Sequence, residues 1–286
     1  VFQTIGEDVV DEIIGGFNAT LFAYGQTGSG KTHTMMGDKD DPYLCGLIPR
    51  VVESILSKLE QKSEAKKNMI CSVKVSYVEI YMERIKDLLN PAKSNLKLRE
   101  NKTKGVWIED VTTEYVSSSE EVYDLIEVGT NNRAIASTDM NKTSSRRYTM
   151  RLVQLLVFSQ AVPIHPISAT LYLVDLAGSE KVRKTKATGK TLKEAMQINK
   201  SLSALGNVIK SLTTHSKHVP YRDSKLTRLL SQALGGNCKT FLILTASPAL
   251  YNSEETLSTL RFGRRAKMVK NKPIINTKKS ADHYLR

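Results

Sequence analysis

The sequence lacks long apolar runs and is poor in cysteine. No stretch of about 18 apolar residues occurs, so a membrane-spanning helix is not expected. The first residues carry no basic segment leading into an apolar one, so we expect no signal peptide in this sequence. The three cysteines, Cys45, Cys71 and Cys238, are widely spaced and form neither a metal-ligand pair nor a disulfide framework. A reducing, cytosolic compartment is therefore favoured.

Features of nucleic-acid modules and metal sites are also scarce. Trp107 and the tyrosines show no regular order of the kind that a base-stacking platform needs, so a nucleic-acid partner is not expected. His215 and His218 lie three residues apart without cysteine or carboxylate companions. Surface positions are favoured for both histidines over a metal site.

The chain is long enough for one large domain and is strongly basic. It has 286 residues, of which 40% are hydrophobic, and a formal net charge of +13. Residues 176–230 hold 12 Lys and Arg against 3 Asp and Glu, and residues 261–286 hold 9 against 1. Such clustering favours a polyanionic partner, which could be nucleic acid, anionic lipid or an acidic protein surface. Composition alone does not choose among these partners. It also allows a solvated basic face that binds no partner.

Strand and helix patterns alternate along the chain. Strands are predicted over residues 19–24, 70–81, 152–157, 170–174 and 240–246. Helices are predicted over residues 47–56, 191–213, 224–234 and 253–269, and another begins at a capping-box-like segment, 117–120, and runs through 126. The alternation predicts an α/β three-layer domain, with a linker-like tail from Asn271 onward.

A complete phosphate-binding loop follows the first apolar strand. Its eight positions are Gly25, Gln26, Thr27, Gly28, Ser29, Gly30, Lys31 and Thr32. The glycines allow successive backbone N–H groups to point at phosphate oxygens, Lys31 reaches the β- and γ-phosphates, and the Thr32 hydroxyl binds Mg²⁺. Because the motif stands between a predicted strand and a helix, a nucleotide site is favoured over an ordinary glycine-rich turn.

A second element of a nucleotide site follows another apolar strand. Asp175 directly follows the predicted strand 170–174 and is placed to be a second Mg²⁺ contact, and Gly178 offers a backbone N–H to the γ-phosphate. Taken alone, such an aspartate is more often a turn or helix-cap residue. GTPases also carry Asp-x-x-Gly, but they read guanine with Asn-Lys-x-Asp, and none of the four Asn-Lys pairs here continues to that aspartate.

Five segments in order resemble the kinesin motor family. Residues 24–35 resemble its phosphate-binding loop, 175–180 its second switch, 199–209 its microtubule-facing helix, 219–228 the loop and helix beyond, and 256–262 its last motor helix. The resemblance covers nearly the whole chain. Conventional kinesin heavy chain is the most similar subfamily, partly on the Asn-Leu-Lys-Leu-Arg stretch at Asn95.

The resemblance implies a P-loop NTPase motor fold, with a mixed central sheet and helices on both faces, and ATP with Mg²⁺ as the ligands. It adds His33 to the nucleotide-binding loop. It implies catalytic roles for Ser144, Ser145, Arg146, Gly178 and Glu180, and metal contacts from Thr32, Ser145 and Asp175. Arg146 would pair with Glu180 and close the switches over the γ-phosphate. Glu180 is the candidate for orienting the attacking water or accepting its proton.

The resemblance also implies a partner for the basic stretch, the acidic surface of tubulin. The residues concerned are Lys181, Arg183, Lys184 and Lys186 after the second switch, and Arg222, Lys225 and Arg228 on the next element. A microtubule motor works in the cytoplasm on the cytoskeleton. Dimerisation would proceed through a stalk, which is absent from this sequence.

The sequence departs from the family pattern in two places. Arg147 and Tyr148 stand where the first switch usually has Ser and His. We expect these replacements to affect closure of the switch and the rate of hydrolysis. Family motors also begin before the residue that matches Val1, with a core strand, a strand that pairs with the neck linker and an Arg-x-Arg-Pro stretch beside adenine. We therefore expect residues 1–270 to be a motor domain without its usual N-terminal strands, and 271–286 to be a neck-linker-like tail. The alternative function is a nucleotide-binding microtubule binder with little or no turnover.

Overall fold

The computed structural model describes residues 1–38, 41, 43–65, 69–101, 105–138, 150–161, 167–180 and 189–277. The strands are β1 Ala19–Gly25, β2 Met69–Tyr81, β3 Arg84–Asp87, β4 Leu98–Asn101, β5 Gly105–Ile108, β6 Glu114–Val116, β7 Met150–Ala161, β8 Ile167–Asp175 and β9 Lys239–Thr245. The α-helices are α1 Glu7–Ile14, α2 Lys31–Met35, α3 Leu47–Ala65, α4 Ser119–Thr138, α5 Gly189–Thr213, α6 Lys225–Leu229 and α7 Ser253–Ala266. Short π- and 3₁₀-helical turns cover Phe2–Gly6, Tyr221–Asp223 and Leu250–Asn252.

The main sheet is mixed, as predicted. Its strand order is β3-β2-β7-β8-β1-β9, with β6 paired to the β2 strand as well, and β4 and β5 form a separate two-stranded sheet. The β8, β1 and β9 strands are parallel neighbours. The β2, β7 and β8 strands are antiparallel neighbours. The carboxyl ends of the three parallel strands therefore meet at one edge, where α/β domains place their ligands.

Helices cover both faces of the sheet because the strand side chains alternate between two cores. In β1, Phe22 and Tyr24 pack with the core that includes residues of α5, α6 and α7. Leu21 and Ala23 of the same strand pack on the opposite face with residues of α1, α3 and α4. This alternation is the period-two pattern of a strand that is buried on both sides. No helix in the described part of the chain is long and apolar enough to span a bilayer.

Most predicted elements are confirmed with shifted ends, but three helix predictions are wrong in length. The helix predicted over 47–56 continues to Ala65, and the helix predicted through 126 continues to Thr138. The helix predicted over 224–234 ends at Leu229. Beyond it, the Ser231 N–H donates to the Arg228 carbonyl, three residues back, and the chain continues as turns. Leu230, Ala233 and Leu234 remain buried in the core. Apolar spacing therefore continued past the end of the helix, and the pattern overestimated its length.

The β9 strand lies at an edge of the sheet. Among the described residues it pairs with β1 alone. Beside it lies a groove of about 670 Å³ that is lined by Leu242, Leu244, Ala266 and Val269, among others. The unpaired edge and the apolar groove are the features that an additional strand would cover.

Candidate functional site

The glycine-rich loop joins a buried strand to a short helix. The β1 strand is buried along its whole length and ends at Gly25. Gly28 and Gly30 have φ of 79° and 97°, in the left-handed region that favours glycine. A Cβ atom at Gly25 would collide with the Thr245 carbonyl, so the loop also needs glycine where β1 passes β9. The loop therefore takes the compact turn that presents backbone N–H groups to an anion.

Lys31 is buried beneath this loop. Its Nζ donates to the carbonyl oxygens of Gly25 and Gln26, at 2.8 Å each, and the residue is only 8% exposed. Burial lowers the pKa of the Lys31 ammonium, and the carboxylates of Asp175 and Glu180 oppose that shift. Both hydrogen-bond acceptors of the ammonium are neutral carbonyl oxygens, so anionic phosphate oxygens could replace them as stronger acceptors.

Thr32 and Asp175, two of the predicted metal contacts, meet between α2 and the end of β8. The Thr32 Oγ1 donates to the Asp175 Oδ2 at 2.7 Å, and Asp175 is 5% exposed. Hydroxyl and carboxylate oxygens are the donors that Mg²⁺ prefers, so this pair fits the predicted metal contact. The third predicted contact, Ser145, lies outside the described residues.

The segment after β8 folds back onto the loop. Glu180 Oε2 accepts a hydrogen bond from the Thr27 N–H at 2.8 Å, and the Ser179 N–H donates to the Gly25 carbonyl at 3.1 Å. At Gly178, a Cβ atom would collide with Thr27 Oγ1 and with the Glu180 carboxylate. Two of the predicted catalytic residues, Gly178 and Glu180, therefore lie at the loop. The other predicted catalytic residues, Ser144, Ser145 and Arg146, are outside the described residues, as are Arg147 and Tyr148.

Two contacts of the site are not indicated by any motif, although Tyr24, Ser29 and Phe262 themselves lie in segments that resemble the family. Ser29 Oγ donates to the Gln26 carbonyl at 2.7 Å and lies 2.6 Å from Thr245 Oγ1, which ties the loop to the end of β9. The rings of Tyr24 and Phe262 stack at 3.8 Å with an interplanar angle of 8°, which links β1 to α7. Both contacts join residues more than 200 positions apart, so only the fold could reveal them.

A basic surface lies on the α6 side of the molecule. Arg222, with a side chain that is 81% exposed, lies 3.4 Å from the Glu100 carboxylate. Arg228 lies 3.5 Å from the same Glu100 oxygen. Sequence reasoning identified the two arginines and missed Glu100, because an acidic residue on a β-hairpin shows no local sign of its partners. Lys181, Arg183, Lys184 and Lys186 lie outside the described residues.

The tail after α7 packs back onto the body of the domain. The Lys272 N–H donates to the Gly236 carbonyl and the Asn276 N–H to the Gly16 carbonyl, at 2.9 Å each. The Asn276 carbonyl accepts from the Ser168 N–H of β8 at 3.0 Å. The side-chain amide of Asn271 lies within hydrogen-bond distance of four groups. Residues 271–276 are therefore held along the domain by specific backbone and amide contacts.

Comparison with protein families and curated proteins gives one consistent result. The family model for the kinesin motor domain matches residues 1–269. A kinesin heavy chain from Syncephalastrum racemosum is 53% identical over 279 residues, which is 96% of this chain and 29% of the relative. Kinesin-related protein 3 from Dictyostelium discoideum is 51% identical over 286 residues, 98% of this chain and 24% of the relative. The chain thus spans less than a third of the length of these relatives.

Solved structures with the same fold are also close in sequence. A fast kinesin, described with its implications for ATPase mechanism and for interactions with microtubules, has a TM-score of 0.89 and 50% identity, over 98% of this chain and 78% of that one. A KIF14 dimer in a two-heads-bound state, with AMP-PNP and in complex with a microtubule, has a TM-score of 0.88 and 36% identity, over 100% of this chain and 81% of that one. Both solved structures therefore resemble this chain in sequence as well as in fold.

Proposed function

This chain belongs to the kinesin motor-domain family, and we propose that it hydrolyses ATP and couples hydrolysis to movement along microtubules in the cytoplasm. The observation that carries the proposal is the convergence of three elements at one loop. Lys31 lies beneath the loop, Thr32 bonds Asp175 beside it, and Glu180 bonds its Thr27 N–H. A phosphate-binding turn, a metal-type oxygen pair and an acidic side chain are the parts that phosphoryl transfer to water requires.

In the proposed mechanism the chain works by positioning and by charge. Lys31 exchanges its two carbonyl acceptors for the β- and γ-phosphate oxygens of ATP, so its positive charge comes to lie against the charge that develops there. Thr32 and Asp175, with Ser145, would hold Mg²⁺, which supplies further neutralisation of the phosphate charge when it is bound. The loop N–H groups fix the orientation of the transferred group.

Glu180 is proposed to act on the attacking water. The contact between Glu180 and the Thr27 N–H already places its carboxylate beside the loop. In the closed state Arg146 would pair with Glu180 and Ser144 would bond the γ-phosphate, so the two switches would close over the substrate. Glu180 would then orient the water or accept its proton, as a carboxylate within hydrogen-bond reach can do.

Tubulin is the proposed track, and the tail is the proposed mechanical element. Arg222, Lys225 and Arg228 supply positive charge on one surface, which suits the acidic surface of a microtubule. Residues 271–276 are proposed to act as a neck linker, and their contacts with Gly16, Ser168 and Gly236 would then correspond to its docked position. Movement would follow from docking and release of this segment.

Nucleotide binding tests the first step of the proposal. Titration calorimetry should detect ATP or ADP binding that depends on Mg²⁺ and that both Lys31→Ala and Thr32→Asn weaken strongly. Lys62→Ala removes an exposed lysine on α3 and serves as the matched control. Equal affinities for the wild type and Lys31→Ala would overturn the assignment of the site.

Microtubule co-sedimentation tests the partner. Binding should weaken steeply as salt rises, because the Debye length falls from about 10 Å at 0.1 M to about 3 Å at 1 M. Replacing Lys225 and Arg228 with Ala should weaken this binding. Binding that does not depend on salt, or no binding in any nucleotide state, would contradict the proposed track.

A further inference from the structure

The two-residue turn between β2 and β3 carries residues that its backbone does not favour. Tyr81 pairs with Arg84 across the turn, and Met82 and Glu83 between them have φ of 49° and 58°. Positive φ at both central positions of a hairpin usually selects Asn-Gly or Asp-Gly. This turn places Glu83 between β2 and β3, and the contacts of its side chain show what it joins.

The Glu83 carboxylate joins three elements of the fold. Its Oε1 accepts a hydrogen bond from the Ser201 hydroxyl of α5 at 2.6 Å. Its Oε2 accepts one from the backbone N–H of Lys225, the first residue of α6, at 2.6 Å. Ser201 is only 4% exposed. Hydrogen bonds to an ionised acceptor are short and strong, so each oxygen holds one helix to the hairpin.

The junction also includes the cap of α6. Ser224 accepts the Thr227 N–H at 3.1 Å, which satisfies one free donor of the first turn. Glu83 satisfies the donor of Lys225, which the serine does not reach, and places a negative charge where the helix dipole favours one. The start of α6 is therefore held from two sides, by its own N-cap and by a residue more than 100 positions away.

We infer that Glu83 is a positioning residue for microtubule binding, because it sets the start of α6 relative to α5. The inference rests on the proposed function, in which the basic residues of α6 face tubulin, and on the resemblance of residues 199–209 of α5 to the family's microtubule-facing helix. Arg222, Lys225 and Arg228 lie on or next to α6, so a shift of this helix against α5 moves the basic side chains out of register with an acidic track. Glu83 acts through these residues and need not touch tubulin.

Four variants separate the reach of the side chain from its charge. Glu83→Gln keeps the reach and loses the charge. Its oxygen can accept the Lys225 N–H, and its amide can donate to Ser201 Oγ, since a hydroxyl both donates and accepts. Glu83→Asp keeps the charge but is one methylene too short to span both partners. Glu83→Gly removes the side chain and suits the positive φ, and Met82→Gly, the control, suits the same turn and leaves the carboxylate in place.

The readout is the microtubule concentration at half-maximal ATPase stimulation, the KM for microtubules. Glu83→Gly and Glu83→Asp should raise this KM about three- to tenfold, with a smaller change in kcat, as expected for the loss of a hydrogen bond that a neutral amide of the same length can still make. Glu83→Gln should stay within about twofold of the wild type, and Met82→Gly should match it. The inference is overturned if Glu83→Gln and Glu83→Gly raise the KM equally, because the charge of the side chain would then matter instead of its reach. It is also overturned if Glu83→Gly and Glu83→Asp leave the KM unchanged.

Hydrogen exchange of the Lys225 amide, measured without microtubules, decides the same question independently. Exchange should be faster in Glu83→Gly and Glu83→Asp than in the wild type and in Met82→Gly. Unchanged exchange in both Glu83 variants would overturn the inference even if microtubule binding falls. If the wild type does not bind microtubules, the proposed function fails, and the exchange data still show whether Glu83 holds the helix. The aspartate variant carries the test if the glycine variant does not fold.

Discussion

Replacing Asn271 with Ala should release the C-terminal tail from the body of the domain. The Asn271 Oδ1 accepts the Gly235 N–H at 2.7 Å. Its Nδ2 lies 2.9 Å from the Ala233 carbonyl, 2.8 Å from the Cys238 carbonyl and 2.9 Å from Thr240 Oγ1. One side-chain amide thus joins the start of the tail to the turn after α6 and to β9, and alanine can make none of these bonds.

The size of the effect follows from the number of bonds. The amide has two hydrogens and one engaged oxygen, which amount to three hydrogen bonds of about 0.5–1.5 kcal/mol each in net contribution. Truncation should therefore weaken docking of the tail by about 2–4 kcal/mol. Since about 1.4 kcal/mol corresponds to a factor of ten, the docking equilibrium should fall roughly 30- to 700-fold.

Hydrogen exchange of three backbone amides reports this equilibrium. The N–H groups of Lys272 and Asn276 donate from the tail to the body, and the Ser168 N–H donates from the body to the tail. All three should lose protection in Asn271→Ala, whereas amides within β1 should not. Asn95→Ala, an exposed asparagine in a loop, is the matched control. Unchanged protection at Asn276 and Ser168 in the Asn271 variant would refute the view that this side chain holds the tail.

Three further predictions concern the surface, the first switch and the sheet edge. Glu100→Gln should tighten microtubule binding by up to about fivefold at low salt, because it frees the exposed Arg222 and the half-buried Arg228 from an acidic partner. Weaker binding in co-sedimentation would contradict this. Restoring the family pattern with Arg147→Ser and Tyr148→His should raise microtubule-stimulated turnover, and unchanged turnover would show that both positions tolerate the replacements. Fusing the N-terminal segment of a related motor ahead of Val1 should raise the melting temperature and the ATP affinity, because an added strand would pair the open edge of β9. Equal melting of both forms would count against that role.

The parts of the site that the sequence predicts are those in which the chemistry lies in one short segment. Lys31 and Thr32 have fixed places once a strand, a glycine-rich turn and a helix follow one another. The place of Asp175 follows from its position at the end of a strand. Parallel pairing of β1 and β8 then brings these residues together, because the carboxyl ends of parallel strands share an edge.

Contacts between distant segments could not be predicted in the same way. The stack of Tyr24 on Phe262 and the bonds of Glu83 to α5 and α6 depend on the packing of helices against the sheet, which apolar spacing indicates only in outline. The overestimated helix after Ser224 has the same origin. The apolar residues that follow α6 stay buried although they lie in turns. Apolar spacing indicates that a segment is buried, but it does not show whether the buried segment is helical.

The central claim is that this chain turns over ATP in response to microtubules, and steady-state ATPase measured against microtubule concentration tests it most directly. The wild type should show low turnover alone and a saturable rise as microtubules are added, and Lys31→Ala should show neither. A flat response in the wild type, with microtubule binding and nucleotide binding both intact, would contradict the motor and leave a nucleotide-binding microtubule binder without useful turnover.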